Sequence, residues 1–349
     1  MHPERQVGPR KVNGLATGPF SLRLALLLFL CFHQDSFGAS PGDLIEGAKK
    51  ERELILYASM NLEEANETIR RFEEKYPFIM VKLARTGSEK LLTRVLTEAR
   101  AKKSFADVIQ TVEFSMHTLR NSGVLGRYLS SENRFFPKEF KEEGYWTTVY
   151  YNPYVVGYNT RLVARENLPK IYEDLLNPAW KGKMMMEGTK VDWFAGMLEI
   201  MGREKGLKFM RELSGQEIML RTGHNLIAQL VAAGEALMDI NIPAASVDRL
   251  KKTGAPIDWI PLEPAPAVMV GAGVTSQPAH PNAARLYIDF VLSREGQNLI
   301  RSFGALVARS DLSESQSGVS KGTRSVPVNP NLAEKMNEYA KLLREIFSQ

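Results

Sequence analysis

The chain has 349 residues, 45 Lys and Arg against 40 Asp and Glu, a formal charge of +5, 44% hydrophobic residues and one cysteine. That length accommodates two domains of about 150 residues each, and the ordinary balance of apolar and charged residues excludes a disordered chain. The mild, interspersed positive charge does not point to nucleic acid.

The first 39 residues read as a secretory signal peptide. Arg10, Lys11 and Arg23 precede the apolar run Leu24–Phe32, and Ser36, Gly38 and Ala39 offer a cleavage point. The run is shorter than the roughly 20 residues a membrane span needs. The mature protein is therefore expected to be soluble outside the cytoplasm, with an uncleaved membrane anchor as the open alternative. Cys31 follows Phe29 and Leu30 rather than the small residue that acylation requires, so no lipid anchor is expected. Loss of residues 1–39 removes four basic and two acidic residues, leaving a formal +3 and no thiol. Disulfides, cysteine metal sites and thiol catalysis are thereby excluded from the mature chain.

From Leu54 short apolar runs alternate with amphipathic segments. Leu54–Ala58 is predicted as a strand, Leu62–Tyr76 as a helix stopped by Pro77, Phe78–Ala84 as a strand and Ser88–Ala101 as a helix. Ala106–Gln110 and Val112–Ser122 repeat the pair. Strands separated by such helices imply parallel pairing with right-handed crossovers. Tyr150–Tyr158 reads as a connector into a second α/β unit. There Met184–Met186, Glu217–Leu220 and Ala236–Asn241 are strands; Asp192–Met201, Glu204–Leu213 and His224–Ala233 are helices, and Pro243 suits the first turn of another. Ile257–Pro261 precedes a Pro-rich segment, and Ala267–Gly271 is a return strand. The helices Pro281–Leu292 and Arg294–Phe303, a loop over Ser310–Pro330 and a terminal helix Leu332–Phe347 complete the chain.

Four segments carry a family likeness: Tyr172 through Lys183 (YEDLLNPAWKGK), Tyr57-Ala58-Ser59, Val156 through Thr160 (VGYNT), and Pro281-Asn282-Ala283-Ala284 running on through Phe290 to Gln297. Over residues 44–310 the chain resembles the family 1 extracellular solute-binding proteins of ABC importers, particularly the branch with ferric-ion-binding proteins. The resemblance implies an α/β, type II periplasmic-binding-protein fold: two lobes, each a mainly parallel sheet flanked by helices, joined by two hinge strands. Expected boundaries are 40–153 with 270–349 for lobe 1 and 154–269 for lobe 2, with Tyr154, Gly157, Tyr158, Asn159 and Val268 in the hinge. It further implies a monomer that traps a small solute as the lobes close and delivers it to membrane permease subunits driven by a cytoplasmic ATPase. No phosphate-cradling Gly-x-x-x-x-Gly-Lys-Ser/Thr sequence is present, so this chain is not that ATPase.

In open parallel sheets ligands sit beyond the carboxyl ends of strands, where helix N-termini present unpaired N–H groups. That rule selects Ser59 and Met60, Gly87 and Ser88, and Thr111 with Glu113 in the first unit. In the second it selects Glu187 and Thr189, Trp193, and Asn241. Ser88 could instead be only a helix cap, Glu113 only a complement to the helix dipole, and Trp193 only a packing residue. The resemblance favours ligand contact at the Glu187–Thr189 junction. Ferric-binding relatives place adjacent tyrosines near the Asn241 turn, where this chain has Asn241-Ile242-Pro243-Ala244-Ala245-Ser246. Tyr150 and Tyr151 are adjacent but point to opposite faces of a connector strand. No metal site or cofactor is expected, although an iron(III) or iron-chelate carrier with another ligand set stays open. Nor is an enzyme expected: there is no Gly-x-Ser-x-Gly elbow, and the carboxylate pairs Glu63-Glu64 and Glu142-Glu143 are consecutive and face apart. The open alternative is an exported enzyme on the same two-lobe scaffold.

Overall fold

A computed structural model describes Gly8 and residues 41–142, 144–313 and 323–347. The expected signal peptide, with Cys31, lies outside the described residues.

Helix α1 (Pro41–Glu51) leads into β1 (Glu53–Ala58), α2 (Leu62–Lys75), β2 (Met80–Arg85), α3 (Ser88–Arg100), β3 (Val108–Val112) and α4 (Glu113–Asn121). The short β4 (Lys141–Glu142) then pairs with the long β5 (Trp146–Asn159). After three 3₁₀ turns come β6 (Met184–Glu187), α5 (Val191–Met201), α6 (Arg203–Ser214), β7 (Met219–Arg221), α7 (His224–Ala233), β8 (Met238–Pro243), α8 (Ala244–Lys251) and β9 (Ile257–Ile260). The chain returns through β10 (Ala265–Val274), α9 (Pro281–Leu292) and α10 (Arg294–Ser302). It ends with α11 (Ser310–Ser313), β11 (Ser325–Pro327) and α12 (Met336–Phe347).

Local sequence explains the element ends. Asn61 Oδ1 accepts from the backbone N–H groups of Glu63 at 3.0 Å and Glu64 at 3.4 Å, which caps α2. The buried side chains Ala65, Thr68, Ile69 and Phe72 then recur at helical spacing, and the helix stops ahead of Pro77. In the family-signature run, Asn177 Oδ1 caps a 3₁₀ turn at the Ala179 N–H, 3.0 Å away. The Tyr172 hydroxyl donates to the Leu262 carbonyl at 2.9 Å. That run is scaffold.

Strand order is β2-β1-β3-β10-β5-β8-β6-β7. β2, β1 and β3 are parallel, and so are β7, β6 and β8. Between the two triplets, β10 runs antiparallel to β3 and β5, and β5 antiparallel to β8. β5 belongs to both α/β parts. Its residues Thr147–Pro153 pair with β10, and Tyr154–Asn159 pair with β8 and β9. The expected hinge residues Tyr154, Gly157, Tyr158 and Asn159 lie in that second stretch, and Val268 sits opposite Asn152 on β10. A Cβ on Gly157 would come within 3.0 Å of Ile242 and 3.1 Å of Val247, so β8 and α8 close directly over the strand.

Each part buries helices against both sheet faces. Leu54, Leu56, Phe72, Tyr287 and Phe290 pack on one face of the first part; Tyr57, Leu91, Ile109 and Trp146 pack on the other. In the second part Met184 and Met186 join Phe194, Phe209 and Met210, while Met185 points the opposite way, to Ile227, Ile242 and Val247. The three methionines are thus a strand buried on both faces.

Three features go beyond the periodicity. α1 precedes the first strand and packs on α9. The segment read as a loop from Ser310 contains α11 and β11, and β11 pairs in parallel with the start of β10 because Ala265–Ala267 is an open edge there. Helix α12 packs on α5 and α6, where Tyr339, Leu343 and Ile346 enter the same cluster as Phe194. Because Phe194 is fully buried in that cluster, Phe194→Ala should cost about 3–5 kcal/mol. A lowered urea midpoint would register it, and an unchanged midpoint would contradict the packing described.

Candidate functional site

A cavity of about 280 Å³ opens where the carboxyl ends of both parallel triplets meet. Tyr150, Asn152 and Tyr154, alternate residues on one face of β5, form its floor with Val268 and Val270 of β10. Ser59, Asn61, Glu64, Arg85, Gly87, Ser88, Glu89 and Val112, at the ends of β1, β2 and β3, make one wall. Glu187, Lys190, Thr222, Gly223, His224, Asn225, Pro243, Ala245, Ser246 and Arg249, beyond β6, β7 and β8, make the other. Six helices, α2, α3, α4, α5, α7 and α8, begin at this cavity. Their positive dipole ends favour an anion, and except at α2 no N-cap side chain takes up the first-turn N–H groups.

Two buried polar atoms at the cavity have no hydrogen-bond partner among the described residues: Asn152 Oδ1 and His224 Nδ1. Asn152 is only 6% exposed. Packed interiors seldom leave such atoms unpaired, because each costs about 1–3 kcal/mol. Burial, aided by the Lys190 charge, pushes the His224 pKa well below the ordinary histidine value, so its imidazole is neutral at pH 7.

The charged side chains differ in what they do. Glu187 is committed to its own wall: it accepts from Thr189 N at 3.2 Å, from Thr189 Oγ1 at 2.8 Å and from the Gly223 N–H, tying β6 to the start of α7. Arg85 Nε donates to the Met60 carbonyl at 2.8 Å. Arg249 pairs with Glu64 and also donates to Asn225 Oδ1 at 2.7 Å. Lys190 Nζ lies 2.9 Å from Glu89 Oε1 and 3.2 Å from Ser88 Oγ.

Of the residues selected from the sequence, Ser59, Gly87, Ser88 and Glu187 line the cavity. Met60, Thr111, Thr189, Trp193 and Asn241 stand behind or beside it. Met60 is 2% exposed, and its sulfur receives the Gln110 amide. Thr111 Oγ1 donates to Ser59 Oγ at 3.0 Å, and Trp193 packs in the core with Phe194. Asn241 clamps the end of β6, accepting from Glu187 N at 2.9 Å and donating to Glu187 O at 3.2 Å. Glu113 is buried and accepts from Thr148. Tyr151 turns away from the cavity and packs on Phe140 with ring centroids 5.2 Å apart. Glu64, Arg85, Glu89, Asn152, Lys190, His224 and Arg249 were not selected. Alternation along β5 was the available signal for Asn152.

The family model described as bacterial extracellular solute-binding protein matches residues 103–343. The chain belongs to that family. It is 23% identical over 307 residues to the Fe(3+)-binding periplasmic protein of Serratia marcescens, which covers 84% of this chain and 86% of the relative. It is 24% identical over 267 residues to an uncharacterised protein of Haemophilus influenzae, covering 72% and 76%. Among solved structures it is similar to iron-bound HitA from Pseudomonas aeruginosa, with a TM-score of 0.75, 21% identity and coverage of 84% of this chain and 99% of that one. It is also similar to AfuA from Actinobacillus pleuropneumoniae with fructose-6-phosphate bound, with a TM-score of 0.74, 20% identity and coverage of 84% and 97%. The fold is that of the two-lobe periplasmic binding proteins. Proteins of this family bind small solutes and work with ABC permease subunits. Among the described residues no helix is long and apolar enough to cross a membrane.

One layer below the cavity, this solute-binding protein buries an acid. Asp239, on β8, is fully enclosed; Oδ1 accepts from Asn241 N at 3.0 Å and Oδ2 has no partner among the described residues. Burial pushes its pKa up from 3.8 to about 8, so the folded protein holds a proton at pH 7 that the unfolded chain releases. Stability from this group is complete below the unfolded value and is lost as pH rises toward 8, at up to about 1.4 kcal/mol per pH unit. Asp239→Asn keeps an acceptor for Asn241 and cannot ionise. Its urea midpoint should fall less than that of the wild type between pH 5 and pH 8; parallel declines would mean that Asp239 is already ionised in the fold.

Proposed function

We infer that this protein is the periplasmic solute-binding component of an ABC importer, and that its cargo is a small anionic or strongly polar solute held between its two lobes. The observation that carries the reading is Asn152 Oδ1, buried and without a partner among the described residues at the floor of a cavity on which six helix N-termini converge. A solute hydroxyl or amine would satisfy it, and the N–H groups of the walls would receive the solute's negative charge. Closure about β5 and β10 would then present a surface to the permease. The work is capture without turnover, by a monomer.

Iron and fructose-6-phosphate both appear among the ligands of similar proteins, one relative being an Fe(3+)-binding protein. The phosphate-bearing solute agrees better with this cavity. A ferric site built on tyrosine needs phenolates, whereas burial pushes the phenols of Tyr150 and Tyr154 upward and Tyr154 donates to Asp192 at 3.0 Å. Among the described residues no group of three or more His, Cys, Asp or Glu could hold a metal.

Native mass spectrometry of protein purified without dialysis should show a bound solute, absent from protein refolded after denaturation and lost or strongly reduced in Asn152→Ala. Retention undiminished in Asn152→Ala would contradict the assigned floor. Turnover of the released molecule by the purified protein would replace capture with catalysis, and a visible tyrosinate-to-iron band on adding Fe(III) would restore the iron reading.

A further inference from the structure

Two ion pairs cross the cavity, each joining one wall to the other. Glu64 lies on α2, which packs on β2, α9 and α10; its partner Arg249 lies on α8, which packs on β5, β8, β9 and α7. Glu89 is in the first turn of α3, and its partner Lys190 immediately precedes α5 on the far side. The two pairs are built differently. Arg249 keeps a second acceptor in Asn225, and the Glu64 side chain is 13% exposed. Lys190 is 11% exposed, whereas the Glu89 side chain that neutralises it is 44% exposed at the mouth. A buried ammonium must keep a counter-charge, because desolvating it alone costs several kcal/mol. A half-exposed carboxylate can leave for water at little cost.

We propose that Lys190, with Ser88, is the specificity-determining anchor for an oxyanion group of the solute, and that Glu89 is an exchangeable counter-ion that holds Lys190 until the solute displaces it. The proposal rests on the solute-binding reading of this cavity and deepens it. Burial lowers the Lys190 pKa, but the neighbouring carboxylates, Glu89 first, outweigh it and raise the pKa, so the paired side chain is an ammonium. The start of α3 stands beside it, so a group that replaces the Glu89 carboxylate also meets the open N–H groups of that helix. Glu89 therefore acts as an internal competitor. It excludes neutral solutes and weakly binding anions, since only a ligand that accepts from both Lys190 and Ser88 repays its removal.

The test uses inorganic phosphate as the probe, titrated by calorimetry at low ionic strength into the mature wild-type protein and the variants Glu89→Gln, Glu64→Gln and Lys190→Gln. Glu89→Gln should bind phosphate at least tenfold more tightly than wild type. Glu64→Gln, which changes the net charge equally, should gain much less, and Lys190→Gln should lose binding. Equal gains in Glu89→Gln and Glu64→Gln would mean a general field effect and overturn the proposal. So would an unchanged Glu89→Gln, phosphate binding that survives Lys190→Gln, or no phosphate binding by Glu89→Gln. Glu89 is exposed enough that its substitution leaves the fold intact, and a thermal melt checks it. The retained-solute measurement stands apart: a retained solute together with failure of these titrations would count against Lys190 alone.

Discussion

Strand polarity is the constraint on which the rest of the molecule depends. Two parallel triplets, β2-β1-β3 and β7-β6-β8, lie on either side of antiparallel β10 and β5, and both send their carboxyl ends to the same cavity. In a parallel sheet every strand end is followed by a helix start, so this arrangement aims six helix N-termini at one volume without a dedicated binding loop. Tyr150, Asn152 and Tyr154 then become its floor because β5 is the strand common to both parts. The same strand that fixes the site is the one about which the lobes would move.

The electrostatics of the cavity follow from that geometry. Positive helix ends favour carboxylates, and Glu64 and Glu89 occupy first-turn positions at two of them. Each also reaches a cation on the opposite wall, so the walls are held together by charges that a ligand can rearrange. Glu187 is different, since its carboxylate is consumed by Thr189 and Gly223 and stiffens one wall. Below it Asn241 fastens the end of β6 and Asp239 supports Asn241, a chain of hydrogen bonds that places the wall but does not face the solute.

Much of this was legible in the sequence, and the residues show why. The spacing of apolar residues located α2, α3, α7 and β6 to within a residue or two, and the strand-end rule led to Ser59, Gly87, Ser88 and Glu187. The same rule also selected Met60, Thr111, Trp193 and Asn241, which lie at the right height in the fold but turn inward; a strand end specifies a place along the sheet, not the side to which one side chain points. Glu89 in the first turn of α3, Lys190 just ahead of α5 and Arg249 in the last turn of α8 look like ordinary solvated charges until the two walls are brought face to face. Helix α12 showed an amphipathic pattern but not its partner, because an apolar stripe does not name the surface it covers. The parallel pairing of β11 with β10 depends on an open edge that only the assembled sheet possesses.

The central claim is that one cavity, floored by Tyr150, Asn152 and Tyr154 and walled by both lobes, receives the solute. A crystal structure of the protein purified and crystallised with whatever it retains tests it most directly. The account predicts density for a small molecule in that cavity, within hydrogen-bond distance of Asn152 and of groups on both walls. Density for a retained molecule seated elsewhere, or touching only one wall, would contradict it.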